Sequence, residues 1–150
     1  MLIAFDIGNT NIVAAVFEEK NLIKQWRIAS DARRTGDEYT SVLLTLLRDA
    51  DVDIKKINRA IISSVVPDLI GPFVTVAQRV SSAKPYILSS ALSLSGPLPV
   101  HLPKGSTHEL GTDLLCNAVA AWQLFKGANI ARVTGQKQNA MLIDIALPLR

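Results

Sequence analysis

Six residues near the start of the chain, Asp6-Ile7-Gly8-Asn9-Thr10-Asn11, set a carboxylate, a glycine and three small polar side chains between two apolar runs. The runs are Met1-Leu2-Ile3-Ala4-Phe5 before them and Ile12-Val13-Ala14-Ala15-Val16-Phe17 after them. This pattern predicts two strands around a polar loop, with the glycine admitting a tight turn. Such a loop can hold an anion. Successive backbone N–H groups form a concave nest for phosphate oxygens, and the Asn9, Thr10 and Asn11 side chains add neutral donors. Asp6 repels a bare phosphate, so its task in such a site is to hold Mg²⁺ or an ordered water, because Mg²⁺ there takes one or two carboxylates and keeps several waters. An ordinary hairpin with a capped turn accounts for the same residues, since Asn and Gly are common turn formers. The P-loop and the Gly-x-Gly-x-x-Gly dinucleotide motif do not fit, because no Gly-Lys-Ser/Thr follows and the next element is a strand.

A second group, Glu109-Leu110-Gly111-Thr112-Asp113-Leu114, places a carboxylate at the mouth of a helix just after a glycine. A helix N-terminus stabilises a carboxylate, so Asp113 reads first as a cap. An aspartate in that place can also accept the proton of a substrate hydroxyl as it attacks a γ-phosphate. Ser63 and Ser64 fall at a strand end, where open α/β sheets bind ligands and where turn-forming serines are also common. Arg33-Arg34 reads as solvated, with contact to an anionic ligand as the alternative. The single cysteine, Cys116, leaves no disulfide framework and no zinc spacing, and its apolar helix predicts a buried structural thiol.

At 150 residues the chain fits one domain. Hydrophobic residues make up 49% and charged ones 19%, and the mean hydropathy of +0.26 suits strands buried on both faces. That composition excludes wholesale disorder. No apolar stretch approaches the roughly 20 residues of a membrane span and no basic region precedes the first apolar run, which predicts a cytoplasmic protein with no membrane partner. The net charge of +3 is scattered and aromatics are 5%, whereas a nucleic-acid surface needs a concentrated basic patch with stacking aromatics.

The elements that must position these groups follow in order. A third strand is predicted over residues 22–28, completing an antiparallel meander, with Trp26 packed on the sheet. A polar loop over 29–37 leads to a helix capped by Asp37, with Tyr39, Val42, Leu43, Leu46, Leu47 and Ala50 on its inner face. A strand over 60–66 follows, then a helix opened by Pro67-Asp68 with Leu69, Ile70, Phe73, Ala77 and Val80 inward. A strand over 85–88, a proline-rich rim over 89–107, a helix over 112–125 and a last strand over 140–145 complete the order β-β-β-α-β-α-β-α-β.

The hexapeptide resembles the first phosphate loop of the actin, sugar-kinase and Hsp70 superfamily. Together with Trp26-Arg27-Ile28-Ala29, Asp37-Glu38-Tyr39, Ser63-Ser64-Val65-Val66-Pro67, Gly111-Thr112-Asp113 and Asn117-Ala118-Val119-Ala120-Ala121, it resembles type III pantothenate kinase over residues 1 to about 125. The resemblance implies an α/β, actin-like (ribonuclease H-like) lobe, whose mixed sheet opens with the three-strand meander and is flanked by helices. It also implies ATP- and Mg²⁺-dependent phosphorylation of pantothenate as the first step of coenzyme A synthesis, a homodimer, and a monovalent cation, K⁺ or NH₄⁺. Asp6, Ile7, Gly8, Asn9, Thr10, Asn11, Ile12 and Val13 match the phosphate loop, Gly111, Thr112, Asp113 and Leu114 the substrate segment, and Asp113 the catalytic base. Three departures accompany the match. Leu114 stands where the family has an arginine for the pantothenate carboxylate, which weakens that contact by about 1.5–3 kcal/mol. The family's aromatic residue before this segment has no counterpart within His101 to His108. The second phosphate loop is represented only by Ile143-Asp144-Ile145-Ala146, with Asp144 as the candidate cation ligand. Residues 1–125 are therefore expected to form an N-terminal lobe, and 126–150 the start of a truncated or degenerate second one, with little or no turnover by this chain alone. A non-catalytic ATP-binding or regulatory module, or a kinase for another small hydroxylated substrate, fits the same residues.

Overall fold

The computed structural model describes residues 1–88, 112, 116, 120, 130–134 and 140–144. The chain divides into two compact units, Met1–Leu88 and Ser89–Arg150. The first opens with strands β1 (Leu2–Ile7), β2 (Asn11–Glu18) and β3 (Asn21–Ala29), continues through helix α1 (Gly36–Asp49), strand β4 (Arg59–Ser64) and helix α2 (Ile70–Val80), and ends in strand β5 (Tyr86–Ile87). The five strands form one mixed sheet in the order β3-β2-β1-β4-β5. The β1–β2 and β2–β3 pairs are antiparallel, while β1–β4 and β4–β5 are parallel. The expected α/β sheet opening with a three-strand meander is therefore present.

Alternation along the strands decides which side becomes core. Ile3, Phe5 and Ile7 of β1 face the same way as Val16, Ala14 and Ile12 opposite them, and as Ala60 and Ile62 of β4; all are buried. Helices α1 and α2 cover this face with Tyr39, Leu43 and Leu47 from one and Phe73, Val76, Ala77 and Val80 from the other. Val42, Leu46 and Ala50, expected inside, lie at the margin of that core. Trp26 packs there too, half-buried.

The helix starts depart from the sequence expectation. The N-cap of α1 is Thr35, not Asp37. Thr35 and Glu38 form a capping box, in which the Thr35 N–H donates to Glu38 Oε2 at 2.7 Å and the Glu38 N–H donates to Thr35 Oγ1 at 3.3 Å. This reciprocal pair satisfies two orphan donors at once, which Asp37 alone cannot do. Asp37 instead pairs with Arg79 of α2 at 3.0 Å. Pro67 opens a 3₁₀ turn, Pro67–Leu69, and α2 begins only at Ile70 without a side-chain cap.

In the second unit, β6 (Ile130–Thr134) and β7 (Ala140–Asp144) pair antiparallel. The strand expected over 140–145 is present as β7, whereas Ile-Ala-Arg-Val-Thr of β6 has neither strict alternation nor an unbroken apolar run to announce a strand. Thr112, Cys116 and Ala120 are helical, within the helix expected over 112–125, and Cys116 is half-buried rather than buried.

Two stability predictions follow from α1. A β-carbon on Gly36 would stand 2.9 Å from the Pro72 carbonyl oxygen and 3.0 Å from Thr75 Cβ. Gly36→Ala is therefore expected to destabilise the fold by about 1–3 kcal/mol through overpacking at this helix contact, read as a lower urea midpoint at unchanged slope. The Thr35 backbone N–H, followed by its hydroxyl, holds the Glu38 carboxyl below its usual range. A carboxyl lowered by folding stabilises the native state above its unfolded pKa and loses that contribution as pH falls through the folded value. Glu38→Gln should accordingly flatten the acid limb of the stability–pH curve while leaving its slope at alkaline pH unchanged.

Candidate functional site

The turn between β1 and β2 is short: Ile7 pairs with Ile12, and Gly8, Asn9 and Thr10 make the connection. The Gly8 N–H donates to the Asn11 carbonyl at 3.0 Å, and a β-carbon on Gly8 would lie 3.1 Å from that same oxygen. A side chain here would crowd that backbone oxygen, and glycine leaves the turn uncrowded. One amide of the expected anion nest is consumed in closing the turn. The exposed Asn9 and Thr10 side chains make no hydrogen bond among the described residues. Ile7 and Ile12 are fully buried beneath the turn, Asn11 is exposed and Val13 is half-buried.

Asp6 sits between buried Phe5 and Ile7, so its side chain leaves by the opposite face of the sheet, where it is exposed. Its neighbours in register are Val13 on β2 and Ser63 on β4. Val13 in turn pairs with Arg27 on β3. Arg27, Val13, Asp6 and Ser63 therefore form one transverse row on one face, at the carboxyl end of the parallel β1–β4 pair. Ser63 is buried at 6% exposure. Ser64 serves the turn that follows: its hydroxyl donates to the Val66 carbonyl at 2.9 Å and accepts from the Val66 N–H at 3.0 Å. Of the two serines weighed from the sequence, Ser63 stands in line with Asp6. Arg27 had no assigned role, since cross-strand register cannot be read from composition or period.

The loop after β3 is bound to the turn. The Ser30 N–H donates to the Thr10 carbonyl at 3.0 Å. Next to it, the Tyr39 hydroxyl accepts from the Asp31 N–H at 2.9 Å and donates to the Asp31 carbonyl at 3.0 Å, with the Ala29 carbonyl at 3.4 Å. Within the loop Arg33 grips Asp31 with two parallel contacts of 3.1 and 3.2 Å. That side-chain hydrogen bond, reinforced by the Arg33 N–H, holds the Asp31 carboxyl below its usual range. Arg33 is thereby committed within the loop, and Arg34 lies 6.0 Å from the centre of the Tyr39 ring.

No group of three or more His, Cys, Asp or Glu side chains suited to a metal occurs among the described residues. Asp6 is the one exposed carboxylate in this row, and a Mg²⁺ in a phosphate site would need only one or two such groups, keeping several waters. A cavity of about 380 Å³ lined by Leu44, Arg48, Asp51, Val52, Asp53 and Ile54 contains none of the residues expected to act. Thr112 is buried at the helical position expected for the substrate segment. Gly111, Asp113 and Leu114 lie outside the described residues, and Asp144 ends β7 opposite Ile130.

A family model of type III pantothenate kinase matches residues 2–134. The chain belongs to that family. The type III pantothenate kinase of Exiguobacterium sibiricum is 36% identical over 144 residues, covering 96% of this chain and 55% of the relative. Those of Dehalococcoides mccartyi strain CBDB1 and Citrifermentans bemidjiense are 37% and 33% identical, over 86% and 87% of this chain and 48% and 50% of theirs. The chain thus spans about half the length of the curated relatives it matches. Among solved structures, the ROK hexokinase of Thermus thermophilus aligns with a TM-score of 0.42 at 18% identity, over 60% of this chain and 34% of that one.

Within this pantothenate kinase-family chain, Tyr39 is the residue that fixes the loop beside the turn. Tyr39→Phe keeps the ring in its packing and deletes only the hydroxyl, which should cost about 1–2 kcal/mol of stability. Amide exchange at Ser30 and Asp31 is expected to accelerate beyond what the global change explains, as measured by hydrogen exchange; uniform acceleration across β1 and β3 would contradict the assignment.

Proposed function

We propose that the chain acts in the ATP-dependent phosphorylation of pantothenate to 4'-phosphopantothenate, the first step of coenzyme A biosynthesis. Family membership supports the reaction, and the observation that carries the site is Asp6 exposed beside the Gly8 turn, at the carboxyl end of parallel strands. In this reading residues 6–13 form the phosphate cradle. Asn9 and Thr10 donate to phosphate oxygens, and Asp6 orients the hydration shell of Mg²⁺. The metal, when bound, neutralises charge building on the transferring phosphoryl group. Asp113 accepts the proton of the pantothenate hydroxyl, with Gly111, Thr112 and Leu114 lining the substrate segment. Asp144 holds the monovalent cation, and a cytoplasmic homodimer is the working form. Catalysis then rests on positioning and on electrostatic stabilisation.

Leu114 favours a second reading, a nucleotide-binding module of the same family without turnover, because an apolar side chain cannot grip the pantothenate carboxylate. Calorimetric titration of MgATP with and without K⁺ tests both. Binding is expected for the 150-residue chain, weakened about tenfold or more in Asp6→Ala. Asp113→Asn should preserve that binding and remove any phosphorylation of pantothenate; a module without turnover would be unchanged by it. Absence of MgATP binding by the unsubstituted chain would overturn both readings.

A further inference from the structure

The transverse row that contains Asp6 ends in a cation of unexplained purpose. Arg27 is exposed, and its guanidinium enters no hydrogen bond or ion pair among the described residues. Arg33, Arg48 and Arg79 are each matched to an aspartate, whereas Arg59 is exposed and, like Arg27, enters no ion pair among the described residues, so what sets Arg27 apart is its place in this row. Arg27 and Asp6 stand two strands apart in register, about 10 Å between α-carbons, with only Val13 between them. Both project from the same face, and Val13 is an uncharged, half-buried floor. A guanidinium and a carboxylate facing each other over such a floor suit a ligand that is anionic on one side and metal-bearing on the other.

We propose that Arg27 is a phosphate-contacting residue of the nucleotide site, gripping the terminal phosphate of a metal-bound nucleoside triphosphate from the side opposite Asp6. The inference rests on the phosphate-cradle reading above and adds a residue that this reading does not contain. Arginine suits the position because its planar fork donates two parallel N–H bonds to phosphate oxygens and its charge does not titrate. Asp6 and Arg27 divide the work: the carboxylate holds the metal's waters, and the guanidinium neutralises phosphate charge that the carboxylate would repel. The β3 strand makes the position rigid on both sides, since Ile28 is buried in the core beside it and Trp26 packs against the core.

The test is titration of the 150-residue chain with MgATP, magnesium tripolyphosphate and adenosine, using Arg27→Met and Arg27→Lys, with thermal melts of each. Arg27→Met should weaken MgATP and tripolyphosphate about tenfold or more, leave adenosine and the melting temperature unchanged, and reduce the salt dependence of binding. Arg27→Lys should recover part of the loss, because it restores the charge without the fork. Equal MgATP affinity in Arg27→Met and the unsubstituted chain overturns the assignment of Arg27 alone. A loss shared equally by adenosine, or accompanied by a lowered melting temperature, also overturns it, as a structural effect. Failure of the unsubstituted chain to bind either polyphosphate overturns the cradle itself and this inference with it.

Discussion

Phe73 packs between two other rings, 5.2 Å from Phe5 in an edge-on arrangement and 4.9 Å from Tyr39. These contacts join α2 to β1 and to α1, and they fix which face of β1 is core. Aromatic pairs of this kind contribute about 0.5–1.5 kcal/mol each beyond the burial of their surface. The alternative register is excluded far more strongly. A slip of one residue would turn Phe5 outward and Asp6 inward, and burying a carboxylate without a partner costs several kcal/mol. The exposure of Asp6 is therefore a consequence of where Phe5 must go. The residue with the most evident chemistry is positioned by its apolar neighbour in sequence.

Tyr39 extends the same core to the loop beside the turn. Its ring is 1% exposed, and its hydroxyl closes on the backbone of residues 29–31. The loop also contains the Asp31–Arg33 pair, but Arg33 is 91% exposed there. Exposed pairs contribute little after side-chain entropy and screening, whereas hydrogen bonds from a rigid buried ring forfeit little entropy on forming. The tyrosine, not the ion pair, therefore determines where Ser30 meets Thr10. One continuous chain of contacts runs from α2 through Phe73 and Tyr39 to the turn that follows Asp6.

The sequence made some of this legible and concealed the rest for physical reasons. The meander, α1 and α2 could be read because two-residue and 3.6-residue periods survive in single segments, as with Tyr39, Leu43 and Leu47. Composition does not separate Asp37 from Thr35 as the cap of α1, because both have capping chemistry, and only the Glu38 side chain returning to Thr35 decides between them. The hexapeptide announced a polar turn, but the reason for its glycine is the proximity of the Asn11 carbonyl, a distance rather than a residue type. Ser63 and Ser64 are adjacent and chemically identical, yet one closes a turn and the other lines the Asp6 row. Arg27 stands in a stretch that carries the family resemblance, but its alignment with Asp6 is not legible there, because the two belong to different strands and only register brings them into line.

The face that carries this row is otherwise apolar near its centre. Leu2, Ala4, Ala15 and Ile61 share it with Asp6, Val13 and Ser63, and each is buried or half-buried. Charges held against such a surface lose part of their competition from water, so their interactions with a ligand are stronger than those of the same groups on an open polar surface. Asp6 lies at the last turn-proximal position on this face of β1, where the strand gives way to the turn and the carboxylate stays exposed to water. At the next positions on this face, Ala4 and Ala15, the side chains are small and apolar, with Ile61 beside Ala4. The boundary between packing and chemistry on β1 therefore falls between Ala4 and Asp6, and the parallel pairing with β4 brings Ser63 to the chemical side of that boundary.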